Sequence, residues 1–299
     1  MQLKGALTSA IARLTAEPVP SPRMNAELLL MFTLDCDRAY LHAHPKRELT
    51  TDEQSRYEAA LGERSRGVPA QYITGHQEFW DMDLIVSPAV LIPRPETEHL
   101  VEAVLELASA DRVSDADRPP HTSQFHTNTH NTIHIVDVGT GSGCIALALA
   151  KELVNAEISA TDISAAALGI ARANAARHRL GERIQFHQAN LLDGFPSGFD
   201  FVVSNPPYVG ESEADQVQLE VRKFEPRNAV FAGTTGTEVI SRLIPQAHAA
   251  LQPGGWLVME ISGTIADEVK RLLREWDNVN ILPDLQGIPR VVRARRPVG

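Results

Sequence analysis

Apolar positions recur at helical spacing from residue 3 to about residue 66, as at Ala26, Leu29, Leu30 and Phe32, and Pro18, Pro20, Pro22 and Pro45 cut the run into segments. This pattern predicts a small helical domain. Its densest apolar stretch, residues 28–34, is bounded by Glu27 and Asp35 and falls far short of the roughly 20 residues that a membrane span requires. It reads as a core helix. Between residues 71 and 91 the character changes: Tyr72, Ile73, Phe79, Trp80, Leu84, Ile85 and Val86 are strand formers, and Gly75 and Asp81 are turn candidates. A β-hairpin joining two domains is the economical interpretation.

Residues 111–131 include Pro119, Pro120 and several Ser, Thr and Asn residues, with almost no large apolar side chain to offset chain entropy. A mobile loop is expected there. Beyond it, strand and helix patterns alternate: a strand over 132–138, a helix over 144–153, a strand over 157–162, a helix over 165–177 and strands over 184–186 and 199–204. Such alternation predicts an α/β domain, a parallel sheet with helices on both faces. The chain then divides into an N-terminal helical domain (1–74), a hairpin linker (75–95) and the α/β domain (96–299).

Composition changes this picture little. With 299 residues and 43% hydrophobic content, the chain can build an ordinary core without staples. The formal net charge of −10 is spread along the chain, and no Lys/Arg run tracks a phosphate backbone, so direct binding of nucleic acid is disfavoured. Cys36 and Cys144 lie far apart and form no zinc or redox pattern, and no leader-like stretch opens the chain. A reducing, cytoplasmic setting is expected, with no membrane segment. His121, His126, His130 and His134 form a loose cluster whose spacing fits no regular ligand set, so no metal is expected.

The chemistry begins at Ile135-Val136-Asp137-Val138-Gly139-Thr140-Gly141-Ser142-Gly143-Cys144, an apolar strand that ends in a glycine turn and opens a helix. Glycines let backbone approach a ligand closely, and the helix start presents unpaired N–H groups. Gly139, Thr140, Gly141, Ser142 and Gly143 are therefore candidate cofactor contacts. Asp162, at the end of the next strand, suits the two hydroxyls of a ribose, although it could instead cap the following helix in competition with Ser164. Asn190 and Leu191 follow the third strand and could bond the edge and cover the face of an adenine. Because Gly141-x-Gly143-x-x-Ala146 also satisfies the looser dinucleotide fingerprint, these features leave a nicotinamide or flavin enzyme open.

The fourth strand separates the two readings. Phe199-Asp200-Phe201-Val202-Val203-Ser204 runs directly into Asn205-Pro206-Pro207-Tyr208. A planar amide nitrogen is a poor nucleophile because its lone pair is delocalised, and it needs positioning more than it needs a base. The Asn205 side-chain oxygen and the Pro206 carbonyl, made rigid by two prolines, could each accept one N–H and turn the lone pair toward a sulfonium methyl. Tyr208 could pack on the planar group. An oxidoreductase gives no reason for this tetrad, so methyl transfer from S-adenosylmethionine is favoured.

At this point the sequence resembles the release-factor glutamine N5-methyltransferases, the HemK-type family. The likeness rests on Pro22-Arg23-Met24-Asn25-Ala26-Glu27, Gln71-Tyr72-Ile73-Thr74-Gly75, Leu91-Ile92-Pro93-Arg94-Pro95-Glu96-Thr97-Glu98, the glycine turn and Asn205 to Tyr208. It continues through Phe224-Glu225-Pro226-Arg227-Asn228, Met259-Glu260-Ile261-Ser262-Gly263 and Asp284-Leu285-Gln286-Gly287-Ile288-Pro289-Arg290. Asn-Pro-Pro-Tyr alone also suits adenine N6-methyltransferases and glutamine methyltransferases of ribosomal proteins. Pro-Arg-Pro-Glu-Thr-Glu is the stretch that looks like the release-factor branch. The resemblance implies a Rossmann-like class I S-adenosylmethionine-dependent methyltransferase domain that acts on the glutamine of the Gly-Gly-Gln motif of peptide chain release factors and releases S-adenosylhomocysteine. It implies a donor site at Gly139 to Gly143, Asp162, Leu191 and Asn205, a glutamine site at Asn205, Pro206, Pro207 and Tyr208, and a docking role for the helical domain. Asn190 and Leu191 stand where the family often has an acid followed by an aromatic residue.

Overall fold

The structure is a computed structural model and describes residues 1–17, 19–116 and 132–298, with the side chains of 111–116 excepted. Its contacts separate two compact units. The first comprises the described residues of Met1–His76, Val86–Pro88 and Val217–Glu225, and the second those of Gln77–Ile85, Ala89–Gln216 and Pro226–Gly299.

The first unit is built on helices α1 (Leu3–Ala16), α2 (Pro22–Leu34), α3 (Arg38–Ala43), α4 (Thr51–Ser65) and α5 (Ala70–Thr74). Leu3, Ala6, Ala10 and Leu14 of α1 face Ala26, Leu29 and Leu30 of α2 and Tyr57 and Leu61 of α4 in one apolar cluster. The buried stripe of α2 is completed by Thr33, whose hydroxyl bonds back to the Leu29 carbonyl, while Phe32 is 48% exposed. At 100° per residue, Phe32 falls off the face that Ala26, Leu29 and Leu30 share. A capping box of Thr50 and Glu53 starts α4. The buried Arg64 is fully engaged: Nε donates to Asn25 Oδ1, Nη1 to the Val68 carbonyl, and Nη2 pairs with Glu220 at 2.9 Å.

The hairpin differs in detail from the sequence expectation. Tyr72 and Ile73 lie in α5 and not in a strand, because Pro69 starts a helical turn that Gly75 ends at φ 77°. The strands are β1 (His76–Phe79) and β2 (Met82–Ile85), and the turn is Trp80-Asp81, both in the left-handed region. Such a conformation is costly for tryptophan, and three hydrogen bonds hold it: Trp80 N–H to Glu98, the indole N–H to Glu152, and Lys151 Nζ to the Trp80 carbonyl.

In the second unit, helix α6 (Glu98–Ala116) precedes β3 (Ile133–Val138), α7 (Cys144–Glu152), β4 (Ala156–Asp162), α8 (Ala165–Arg177), β5 (Ile184–Gln188) and β6 (Phe199–Ser204). Residues 111–116, expected in the loop, are instead the last turns of α6, since no Pro or Gly interrupts the backbone ladder through Ala116, and the remainder of that expectation, residues 117–131, lies outside the described residues. After β6 come β7 (Val209–Gly210), α9 (Leu219–Phe224, which belongs to the first unit), α10 (Arg227–Val230), β8 (Phe231–Gly233), α11 (Glu238–Ala250), β9 (Leu251–Glu260), α12 (Ala266–Leu272), β10 (Asp277–Pro283) and β11 (Pro289–Arg295). Seven strands form one sheet in the order β10-β11-β9-β6-β3-β4-β5, with β11 antiparallel to both neighbours and the other pairs parallel.

Both faces are covered. Ile135, Phe201, Val203, Val258 and Val291 pack under α6 and α7, while Val136, Val138, Val202, Leu257, Met259 and Val292 pack under α11 and α12. Near-continuous apolar runs such as Phe201 to Val203 follow from this double burial. The sheet order reverses at β3, which lies between β4 and β6, and the carboxyl ends of strands beside such a point are where open α/β sheets bind ligands.

Asn174 of α8 joins the hairpin to this sheet. It is fully buried, with Oδ1 accepting from Ile85 N–H at 2.7 Å and Nδ2 donating to the carbonyls of Ile85 and Ser142 at 3.0 and 2.9 Å. Replacing Asn174 with Ala would strand these backbone groups. A loss of about 2–4 kcal/mol, read as a lower midpoint of urea unfolding with unchanged slope, is the expected outcome. A midpoint within about 0.5 kcal/mol of the parent would show that water or a shifted backbone replaces all three bonds.

Candidate active site

A cavity of about 520 Å³ opens over the carboxyl ends of β3, β4 and β6, within the usual size range for a small-molecule site. Gly139, Thr140, Gly141, Ser142, Asp162, Asn190, Leu191, Asn205 and Pro207 line it, so nine of the residues singled out from the sequence share one wall. Gly143, Pro206 and Tyr208 are not among its lining residues. Gly143 is needed for packing: at φ 86°, a Cβ there would lie 3.2 Å from Ala171 Cβ and 3.3 Å from Leu147 Cδ1. Pro206 is buried, and Tyr208 turns its hydroxyl inward.

The glycine turn is fastened to the end of β4. Gly139 and Thr140 both donate their N–H groups to the Thr161 carbonyl at 2.8 Å. Asp162 Oδ2 accepts from Gly141 N–H at 2.9 Å, and Oδ1 accepts from Ser164 N–H at 2.8 Å. Of the alternatives weighed for Asp162, the cap of α8 falls to Ser164, whose side chain accepts the N–H of Ala167, while Asp162 lines the cavity and anchors two backbone segments. Leu191 adopts φ 56°, and its carbonyl accepts the Thr161 hydroxyl at 3.0 Å, which fixes the loop after β5 against β4.

Beneath the turn, Asp137 is fully buried and accepts the Thr140 hydroxyl at 2.6 Å. Burial pushes its carboxyl up to about 7, against the opposing pull of that hydrogen bond. The same burial raises the neighbouring Cys144 thiol to about 12, which leaves it unreactive at neutral pH.

On the other side, Asn205 Nδ2 donates to Thr97 Oγ1 at 3.1 Å, Thr97 Oγ1 donates to Glu260 Oε2 at 2.6 Å, and the Tyr208 hydroxyl donates to Glu260 Oε1 at 3.0 Å. Glu260 ends β9 and is wholly buried. Burial raises its carboxyl above the usual carboxylate range, while the two hydroxyls and the nearby Arg290 guanidinium pull it down. Burial, and then Glu260, raise the Tyr208 phenol. Arg290 is itself paired with Asp284 at 3.0 Å. Thr97 and Glu260 stand in two stretches that carry the resemblance but received no role there, because 163 positions separate them and neither stretch names the other as its partner. The available signal was a lone acid at the end of the apolar run Trp256-Leu257-Val258-Met259, which needs partners wherever it is buried.

Among the described residues no group of three or more His, Cys, Asp or Glu gathers in a way that could hold a metal. His121, His126 and His130 lie outside the described residues, and among the described residues no helix is long and apolar enough to cross a membrane.

Comparison with known proteins adds independent information. Residues 5–75 match the PrmC N-terminal domain and residues 122–223 the methyltransferase small domain. A release factor glutamine methyltransferase of Koribacter versatilis is 54% identical over 299 residues, covering 99% of both chains. One from Chlorobaculum tepidum is 39% identical over 95% of this chain and 94% of its own. The catalytic domain of hMettl16, solved with an MAT2A 3′UTR hairpin, superposes with a TM-score of 0.53 at 15% identity, covering 87% of this chain and 85% of that one. That likeness concerns the fold, the Rossmann-like class I methyltransferase arrangement.

The Asp137 carboxyl generates a pH prediction. An aspartate titrates near 3.8 when unfolded and near 7 in this fold, so the unfolded chain gives up its proton first as pH rises. Stability contributed by the protonated group is complete below about pH 4 and is lost toward pH 7. In Asp137→Asn, which cannot ionise, the melting temperature should fall less between about pH 5 and pH 7.5 than in the parent. Parallel curves for the two proteins would show that Asp137 titrates normally in the fold.

Proposed function

The chain belongs to the release factor glutamine methyltransferase family, and we propose that it methylates the side-chain amide nitrogen (N5) of the glutamine in the Gly-Gly-Gln motif of peptide chain release factors, with S-adenosylmethionine as donor. The observation that carries this reading is the single cavity wall that unites the glycine turn, Asp162 and Asn205. A relative of that name, 54% identical over 99% of both chains, supports the substrate.

The residues present fit the donor. Glycines at 139 and 141, with φ 73° and 56°, leave backbone without a close Cβ at the cavity floor, and a carboxylate stands at the end of β4. Gly139 to Ser142 would line one side of the ligand, with Gly143 shaping the turn. Asp162 would accept from the ribose hydroxyls with the lone pairs that its backbone bonds leave free, and Asn190 and Leu191 would meet the adenine. When bound, S-adenosylmethionine supplies an electrophilic sulfonium methyl and is left as S-adenosylhomocysteine.

For the substrate, Asn205 Oδ1 and the Pro206 carbonyl would accept the two amide N–H groups, while Pro207 and Tyr208 stiffen and back that corner. The work of these residues is orientation: a bound amide with both hydrogens held has its π face turned to the donor. No general base is assigned, since the proton leaves a cationic nitrogen and solvent can take it. The helical domain, residues 1–74, would help dock the release factor, without direct contact to nucleic acid. A cytoplasmic location follows from a substrate that works on ribosomes.

The test is incubation of the purified protein with labelled S-adenosylmethionine and unmethylated release factor, followed by mapping of the methyl by mass spectrometry. One methyl on the Gly-Gly-Gln glutamine is expected, with a loss of about a hundredfold or more in Asn205→Ala. Asp162→Ala should weaken donor binding by about tenfold or more. Transfer to a ribosomal protein or to DNA, with none to release factor, would overturn the substrate assignment and keep the chemistry.

A further inference from the structure

An asparagine can serve as an acceptor toward substrate only if its amide is turned the right way, and Asn205 has two ends of opposite character. The neighbouring hydrogen bonds decide which end is left. Thr97 has one hydroxyl hydrogen, and it goes to Glu260 at 2.6 Å. Toward Asn205 the same oxygen can then only accept, and the group it faces at 3.1 Å is Nδ2. Oδ1 remains as the end available to a ligand in the cavity that Asn205 lines. Glu260 is the terminus of this chain of donors, because a carboxylate has no hydrogen to give and takes the hydroxyls of Thr97 and Tyr208 together.

We propose that Thr97 and Glu260 are positioning residues: they fix the polarity of a hydrogen-bond chain running from Asn205 to Thr97 to Glu260, and so hold Asn205 Oδ1 as the acceptor for the substrate amide. The elements that bring them together are distant in sequence. Thr97 closes the 3-10 turn Pro95–Thr97, where Pro95 fixes the entry, and Glu260 is the last residue of β9 beside β6, the strand that leads into Asn205. Thr97 is 1% exposed and Glu260 likewise 1%, so neither can exchange its partner for bulk water. Glu260 also anchors the Tyr208 hydroxyl, which ties both ends of the Asn205-Pro206-Pro207-Tyr208 corner to one carboxylate.

This inference rests on the role given to Asn205 above, and the experiment separates the two. Thr97→Val keeps shape but removes the hydroxyl, Thr97→Ser keeps the hydroxyl, and Glu260→Gln places a donor where the chain must end. Each is measured, after circular dichroism shows it folded, for kcat, for KM toward release factor and for S-adenosylhomocysteine affinity by calorimetry. Thr97→Val and Glu260→Gln should lose about tenfold or more in kcat, with donor-site affinity within about twofold of the parent, and Thr97→Ser should retain most of kcat. Parent-like kcat in folded Thr97→Val and Glu260→Gln, or Thr97→Ser as impaired as Thr97→Val, overturns the inference. Asn205→Ala is assayed alongside. If it keeps full activity, the role of Asn205 and this inference fall together; if it loses activity while both other variants keep theirs, only the inference falls.

Discussion

The end of β4 is the point on which the rest of the site depends. At Thr161 and Asp162 one carbonyl takes two N–H groups from the glycine turn, one hydroxyl reaches the loop after β5, and one carboxylate takes a third N–H of the turn and the N–H of Ser164 just beyond the strand. Parallel strands do not bond their own connecting loops, so the segments leaving β3, β4 and β5 would otherwise carry unsatisfied backbone groups at a cavity. Two consecutive residues satisfy them. The arrangement demands left-handed backbone at Gly139 and Gly141, and it also places the Asp162 carboxylate at the rim, so that the residue best suited to a ribose is at the same time part of the scaffold.

A second layer of buried polar side chains extends this control away from the cavity. Asn174 satisfies backbone groups of the hairpin and of the glycine turn, Asp137 holds the Thr140 hydroxyl, and Glu260 collects the hydroxyls of Thr97 and Tyr208. Each would be costly if left unpaired, and each ties two or three chain segments distant in sequence. The site is therefore rigid because of what lies behind it, and the cavity wall itself needs few charges. Asp162, Arg94, Glu211 and Arg242 are the charged side chains on that wall.

What the sequence made legible follows from how local each feature is. The strands Ile133–Val138 and Phe199–Ser204 and the helix Ala165–Arg177 are evident because doubly buried strands are apolar runs and a Ser-capped helix has its own signal. The glycine turn, Asp162 and Asn205 are evident for the same reason: each stands at a strand end, and strand ends share one edge of a parallel sheet. Tyr72 and Ile73 misled because β propensity is weaker than a start at Pro69 and a stop at Gly75. Phe32 misled because apolar character outweighed the 100° spacing that selects Thr33. Thr97 and Glu260 were beyond local reading, since nothing within either segment states that β9 ends beside β6.

The placement of Glu260 bears on how a carboxylate can serve methyl transfer to a neutral amide. A carboxylate facing the cavity directly would attract the positive sulfonium of the donor and also accept from the substrate, favouring the bound reactants as much as the reacting state, and equal favour to both does not speed a reaction. Here the carboxyl of Glu260 lies one hydroxyl behind Asn205, joined to it through Thr97, and a second hydroxyl ties it to Tyr208. What reaches the cavity is a fixed dipole, with the negative end of a neutral amide left to accept and its positive end turned to Thr97. A dipole held before substrate arrives needs no reorganisation as positive charge grows on the substrate nitrogen, and that is the condition under which buried hydrogen bonds contribute most to rate. Moving the acid forward, as in Asn205→Asp, would add a second acceptor oxygen, remove the N–H that bonds Thr97 and end the separation, and on this argument it does not substitute for the asparagine.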